Sequence, residues 1–200
     1  CCMNRFYYSV LLYLILPLVP LKLLWRGIKQ PAYRQHWGER FGFYSIKLSK
    51  PVIWLHCVSV GETRAAEPLI NALQATYPNH QILLTHGTPT GRETGEALFG
   101  NGVERVYLPY DVPFAVHRFL AHFKPAIALM METELWFNLI AACKQRKIPV
   151  LLLNARLSEK SASGYAKLGR LAQEGLQSLT AVAAQTADGA ARLRNLVAQN

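Results

Sequence analysis

The sequence predicts an α/β fold, a parallel sheet with helices on both faces, and three observations carry that expectation. Apolar runs of strand length alternate with longer segments of 3.6-residue periodicity between residue 52 and the C-terminal end. The runs are apolar at consecutive positions, so both faces of each strand need covering, as in parallel sheets. The composition sets the scale: 200 residues, 51% hydrophobic and 17% charged, make one domain with a sizeable core and exclude intrinsic disorder.

Taken in chain order, the first element stands apart from that sheet. Residues 6–21 carry no charge, and as a helix this run of 16 would be about 24 Å long, short of the roughly 30 Å of a hydrocarbon core. Pro17 and Pro20 would kink it. Lys22, Trp25, Arg26, Lys29, Arg34 and Arg40 follow, an aromatic and basic flank suited to a cytoplasmic-leaflet headgroup layer. Residues 1–29 therefore read as a membrane anchor, shallow or barely spanning, with a buried core helix as the alternative. A cleaved signal peptide is disfavoured because no small-x-small site follows the run. Met3-Asn4-Arg5 reads as a start, so nothing is built on Cys1 and Cys2.

Residues 30–51 read as a basic linker, and residues 52–200 as the globular, Rossmann-like domain. Its strands are expected at 52–58, 81–85, 105–108, 126–131, 150–153 and 179–184, and its helices at 64–76, 91–99, 113–123, 135–146, 162–177 and 187–198. In the first of these helices Ala65, Ala66, Leu69, Ile70 and Leu73 share a face, and Tyr77-Pro78-Asn79 ends it.

Charge and cysteine usage narrow the function. The formal charge is +10, but residues 1–50 hold eight Lys or Arg against one acid, while residues 51–200 hold fourteen against eleven. The excess lies beside the apolar run and not on the folded domain, which argues against nucleic-acid binding. Cys57 and Cys143 sit in apolar stretches and read as small buried hydrophobes, consistent with a reducing compartment. With no C-x-x-C and no H-E-x-x-H, the expectation is no metal and no cofactor.

In a doubly wound sheet ligands meet the loops beyond the carboxyl ends of strands. After the first strand come Ser59, Gly61, Glu62 and Arg64; Gly61 allows close approach, and Glu62 at a helix start is favoured in its ionised form. Ser59-x-x-Glu62 equally fits a capping box. After the second come Thr88, Thr90 and Gly91, suited to a phosphate or sugar hydroxyl, or to a helix cap at Thr90-x-x-Glu93. After the fourth come Glu132 and Glu134; near Glu62, one acid could keep its proton while another acts as base, or one could cap the next helix. Arg156 adds a guanidinium after the fifth. No G-x-G-x-x-G, P-loop or G-x-S-x-G is present.

Read together, LWRGIKQPAYRQHWGERFG (24–42), HCVSVGETRAAEPLI (56–70), LLTHGTPTGRE (83–93), VYLPYDVP (106–113), METELWFNLI (131–140) and NARLSEKSASGY (154–165) resemble the N-terminal half of the bacterial 3-deoxy-D-manno-octulosonic acid (Kdo) transferases of lipopolysaccharide biosynthesis. The resemblance implies the acceptor-binding half of a GT-B fold, with a donor-binding C-terminal domain absent from this chain. It implies an inverting glycosyltransferase that moves Kdo from CMP-Kdo to a lipid A precursor (lipid IVA) on the cytoplasmic face of the inner membrane. It maps the general base onto Glu62 and a transition-state stabiliser onto Glu132. The same loops then place Ser59, Gly61, Arg64, Thr88, Thr90, Gly91, Glu134 and Arg156 around the substrate. His86-Gly87 and Phe137 depart from the family's usual wording and bear on acceptor fit. A membrane-anchored, non-catalytic module binding an acidic lipid or sugar is the alternative, with a nucleic-acid binder well behind.

Overall fold

The structure, a computed structural model, describes residues 4–198; Cys1 and Cys2 lie outside them. Strands β1 (Val52–Cys57), β2 (Gln81–His86), β3 (Glu104–Tyr107), β4 (Ile127–Met131), β5 (Val150–Ala155) and β6 (Ala181–Ala184) form one six-stranded sheet ordered β3-β2-β1-β4-β5-β6. Every pairing is parallel. The helices are α1 (Arg5–Ile15), α2 (Leu18–Lys29), α3 (Trp37–Arg40), α4 (Val60–Thr76), α5 (Pro89–Phe99), α6 (Pro113–Phe123), α7 (Phe137–Gln145), α8 (Glu159–Leu168), α9 (Arg170–Gln177) and α10 (Ala187–Ala198).

The consecutive apolar positions of β1 show why the sheet is covered twice. Val52 and Trp54 point into a core with Phe119 and Leu120 of α6, Ile140 of α7 and Leu176 of α9, whereas Ile53, Leu55 and Cys57 join Ala66 and Ile70 of α4 on the other face. Burying each such aliphatic side chain stabilises the fold by about 1.5–3 kcal/mol. Two polar atoms among them converge on one hydroxyl: Trp54 Nε1 donates to Thr85 Oγ1 at 2.9 Å, and His56 Nδ1 lies 2.8 Å from the same oxygen, while Nε2 of His56 and of His86 is buried without a partner. Burial lowers the pKa of His56 to about 4 and of His86 to about 3, so both are neutral parts of the core. Cys57 and Cys143 are buried there too, as their surroundings in the sequence indicated.

Several boundaries differ from expectation for identifiable reasons. Helix α4 starts at Val60 because Ser59 caps it, so Glu62 lies inside its first turn. The helix expected over 162–177 breaks at Gly169, whose φ of 53° is left-handed, into α8 and α9. Strand β5 runs on to Ala155 through an irregularity at Asn154, another left-handed residue. The stretch expected as a linker is docked on the sheet edge. Arg40 is buried with its guanidinium 3.9 Å from the centre of the Tyr107 ring, and Glu39 accepts from the Tyr107 N–H at 2.7 Å.

The N-terminal apolar run is helical but interrupted at Leu16–Pro17, as prolines require. Together α1 and α2 form a stretch long and apolar enough to cross a membrane. Phe6, Leu14, Leu21, Trp25 and Ile28 are exposed, while Leu23 and Gly27 pack inward and Arg26 lies 4.5 Å from the Tyr33 ring.

Candidate active site

The strand order reverses between β1 and β4, the two central strands, and in doubly wound sheets ligands bind beyond the carboxyl ends at such a switch point. The loop after β1 leads to Glu62 and the loop after β4 carries Glu132 and Glu134, so the three acids follow the two strands that flank the switch point. Glu62 and Glu134 respond to acidic neighbours. Glu62 is raised from the ordinary carboxylate value first by burial and then by Glu132, against hydrogen bonds that lower it. Glu134 is pushed up to about 7, by burial first and then by Glu62 and Glu132.

Glu62 is held in a specific way. It is 7% exposed; Val58 N–H donates to one carboxylate oxygen at 2.7 Å and Ser59 Oγ to the other at 2.8 Å. Ser59 Oγ in turn receives the Glu62 N–H at 3.3 Å. The capping geometry legible in Ser59-x-x-Glu62 is therefore formed, with Val58 supplying the backbone donor. Two hydrogen bonds use about half of a carboxylate's acceptor sites.

Glu132 has a φ of 58°, which a residue with a Cβ rarely adopts. Its N–H is fixed by Leu153 O at 2.8 Å. Beside it Thr133 donates to the carbonyl of Arg156, and Tyr165 of α8 donates to the carbonyl of Thr133 at 3.3 Å. The β4 loop is thus pinned from β5 and α8, and the turn that displays Glu132 is over-determined by its neighbours.

The remaining expected residues divide. Thr88, not Thr90, caps α5: its Oγ1 accepts from Gly91 N–H at 3.2 Å and donates to Val58 O at 3.0 Å, tying the β2 loop to the β1 loop. The reason is Pro89, which fits the first helical position and holds the preceding residue extended. Thr90 is exposed one residue further on, and Gly91 is buried, where a Cβ would lie 3.1 Å from both Thr88 Oγ1 and Val58 O. Gly61 is exposed, and a Cβ there would meet only Ser59 Oγ, at 3.9 Å, so no contact within the protein requires glycine. Arg64 and Arg156 are exposed, the first on α4 and the second on the β5 loop. Neither Glu132 nor Glu134 caps α7; Asp111 does, accepting from Asn138 N–H at 3.0 Å and Leu139 N–H at 2.8 Å.

Sequence reasoning missed Asp111 and a second cluster at the end of β3. There Glu39 pairs with Arg92 at 2.5 Å and His36 at 3.2 Å, and Arg92 lies 5.0 Å from the Tyr107 ring centre, which also carries Arg40. Both clusters lie in stretches, WGER and PYDVP, that carry the resemblance quoted above; no local spacing rule singles them out.

The doubly wound parallel sheet has a Rossmann-like, GT-B-like layout, and solved structures share it. Two UDP-N-acetylglucosamine 2-epimerase structures, one of them a putative enzyme from Listeria monocytogenes, align over 74% of this chain. Their TM-scores are 0.53 and 0.52 at 13% and 15% identity, over 42% and 45% of their own chains. At that identity the likeness concerns fold alone. The sequence is more specific: a family model described as 3-deoxy-D-manno-octulosonic-acid transferase (kdotransferase) matches residues 35–200. The 3-deoxy-D-manno-octulosonic acid transferase of Haemophilus influenzae is 43% identical over 92% of this chain and 43% of its own length. That of Bordetella pertussis is 41% identical over 88% and 44%. The chain belongs to the Kdo transferase family. It spans less than half the length of these curated relatives.

Proposed function

We propose that this chain is the acceptor-binding half of an inverting Kdo transferase, with Glu62 as general base. CMP-Kdo is the donor, held mainly by a second domain, and a lipid A precursor, lipid IVA, supplies the attacking hydroxyl. The observation that supports this reading is the placement of Glu62 and Glu132 after the two central strands that flank the switch point, where burial first, and the Glu132 charge behind it, raise Glu62 above an ordinary glutamate. A base must be ionised yet basic enough to take a proton, and a raised carboxylate meets both needs.

In the proposed step the acceptor oxygen attacks the anomeric carbon of Kdo while the bond from that carbon to the CMP phosphate oxygen breaks on the opposite face. The hydroxyl proton passes to Glu62, and CMP leaves with the bonding pair. Positive charge develops on the sugar through an oxocarbenium-like state, which the negative charge of Glu132 stabilises. Glu134, near half-protonation at neutral pH, can donate to a sugar oxygen. Ser59 and Thr88 hold the two loops, and Arg64, Thr90 and Arg156 are exposed for a phosphorylated acceptor. The exposed apolar faces of α1 and α2, with Lys22, Arg26 and Lys29, support attachment to an anionic bilayer, read as the cytoplasmic face of the inner membrane.

The test separates base from cap. In the complete transferase, Glu62→Gln lowers kcat by about 10²- to 10⁴-fold, whereas Ser59→Ala lowers stability by about 1 kcal/mol and, because Val58 still holds the carboxylate, lowers kcat far less. Equal, modest effects of both substitutions on transfer would reduce Glu62 to a cap and leave the non-catalytic binding module as the better reading.

A further inference from the structure

The N-terminal helix meets the globular part through polar contacts that mere attachment does not require. Tyr8 Oη donates to Asp111 Oδ2 at 2.9 Å, and its ring meets Phe137 edge-on with centroids 5.3 Å apart. Ser9 Oγ donates to Asn138 Oδ1 at 3.0 Å. Asp111, 3% exposed, lies between β3 and α6, and the same carboxylate takes the N–H groups of Asn138 and Leu139. Asn138 Nδ2 closes the ring by donating to the Asp111 carbonyl at 2.7 Å.

One buried carboxylate therefore joins α1, the β3–α6 loop and the start of α7. Helix α7 begins immediately after the Glu132–Trp136 loop, and Trp136, its N-cap residue, makes no side-chain capping bond. The entry of that loop is fixed by Leu153 and the Arg156 carbonyl, so Asp111 fixes its exit. A buried carboxylate needs its acceptor sites filled, and removing the Tyr8 hydroxyl leaves one of them short.

We propose that the Tyr8–Asp111–Asn138 cluster makes α1 part of the scaffold that sets the Glu132–Trp136 loop, with Asp111 as a positioning residue. The apolar helix then orients the site as well as attaching it. The geometric part stands on the contacts above; its effect on turnover rests on the function proposed for Glu132.

The experiment uses the complete, membrane-borne transferase labelled with 5-fluorotryptophan, its Trp136 signal assigned by Trp136→Phe. Tyr8→Phe removes one hydroxyl and keeps the ring. The Trp136 fluorine resonance is expected to shift, and kcat to fall roughly ten- to a hundredfold, with the donor KM and membrane sedimentation unchanged. Asp111→Asn gives the same pattern more strongly, and the Tyr8→Phe/Asp111→Asn pair is no worse than Asp111→Asn alone, because both break one shared bond. An unmoved Trp136 signal in Tyr8→Phe, or full additivity of the pair, overturns the inference. A moved signal with undiminished turnover upholds the coupling and instead removes the loop from the chemistry.

Discussion

In the proposed mechanism Glu62 is both cap and base, and the residues around it decide how one carboxylate serves the two. The hydrogen bonds from Val58 and Ser59 orient it and favour its charge, while burial and Glu132 oppose that charge more strongly. The same local arithmetic places the second cap at Thr88. Thr88→Ala loses a cap and leaves the Val58 carbonyl without its hydroxyl partner, so thermal denaturation should register a loss of about 1 kcal/mol. Thr90→Ala, at an exposed position, should stay within about 0.5 kcal/mol. Equal losses would return the cap to Thr90. Ser59-x-x-Glu62 was legible because a cap is a contact between near neighbours. Asp111 was not, since its partners lie 27, 28 and 103 residues away.

At the scale of elements, periodicity identified each strand and helix of the sheet, and the errors fell where single residues override it. Gly169 breaks a helix whose apolar pattern continues across it, and β5 runs through the left-handed Asn154 to Ala155, two residues beyond its expected end. The 30–51 stretch read as a linker because it is basic and lacks a period, yet aromatic and guanidinium stacking docks it. Helix α5 shows how closely an element can be seated. A Cβ on Gly95 would come within 2.8 Å of Nε2 of the buried His86 ring. Gly95→Ala should therefore destabilise the protein by about 1–3 kcal/mol despite alanine's better helix propensity. A gain in stability, measured by urea denaturation, would contradict that packing.

For the whole molecule, the strand order was the feature sequence could not supply, because pairing across the sheet leaves no local mark. It matters most, since it sets β1 beside β4 and brings the loops of Glu62 and Glu132 to one switch point. Concentrating acids there has a cost in stability that depends on pH. Glu134, at about 7 in the fold, holds its proton where the unfolded chain, with the ordinary value of 4.5, has released it. The native state then binds more protons, so this group's contribution is present below pH 4.5 and is lost as pH rises through 7. Denaturation midpoints across that range should show Glu134→Gln gaining on the wild type as pH rises. A constant difference would mean that Glu134 titrates normally.

The claim on which the mechanism turns is that Glu62 is a base whose proton affinity Glu132 raises. The acid limb of the kcat/KM profile reports the free enzyme's base directly. In the complete transferase that limb should lie above pH 4.5, the ordinary glutamate value, and move to lower pH in Glu132→Gln, along with a reduced plateau. A limb at the same pH in both proteins would contradict the account.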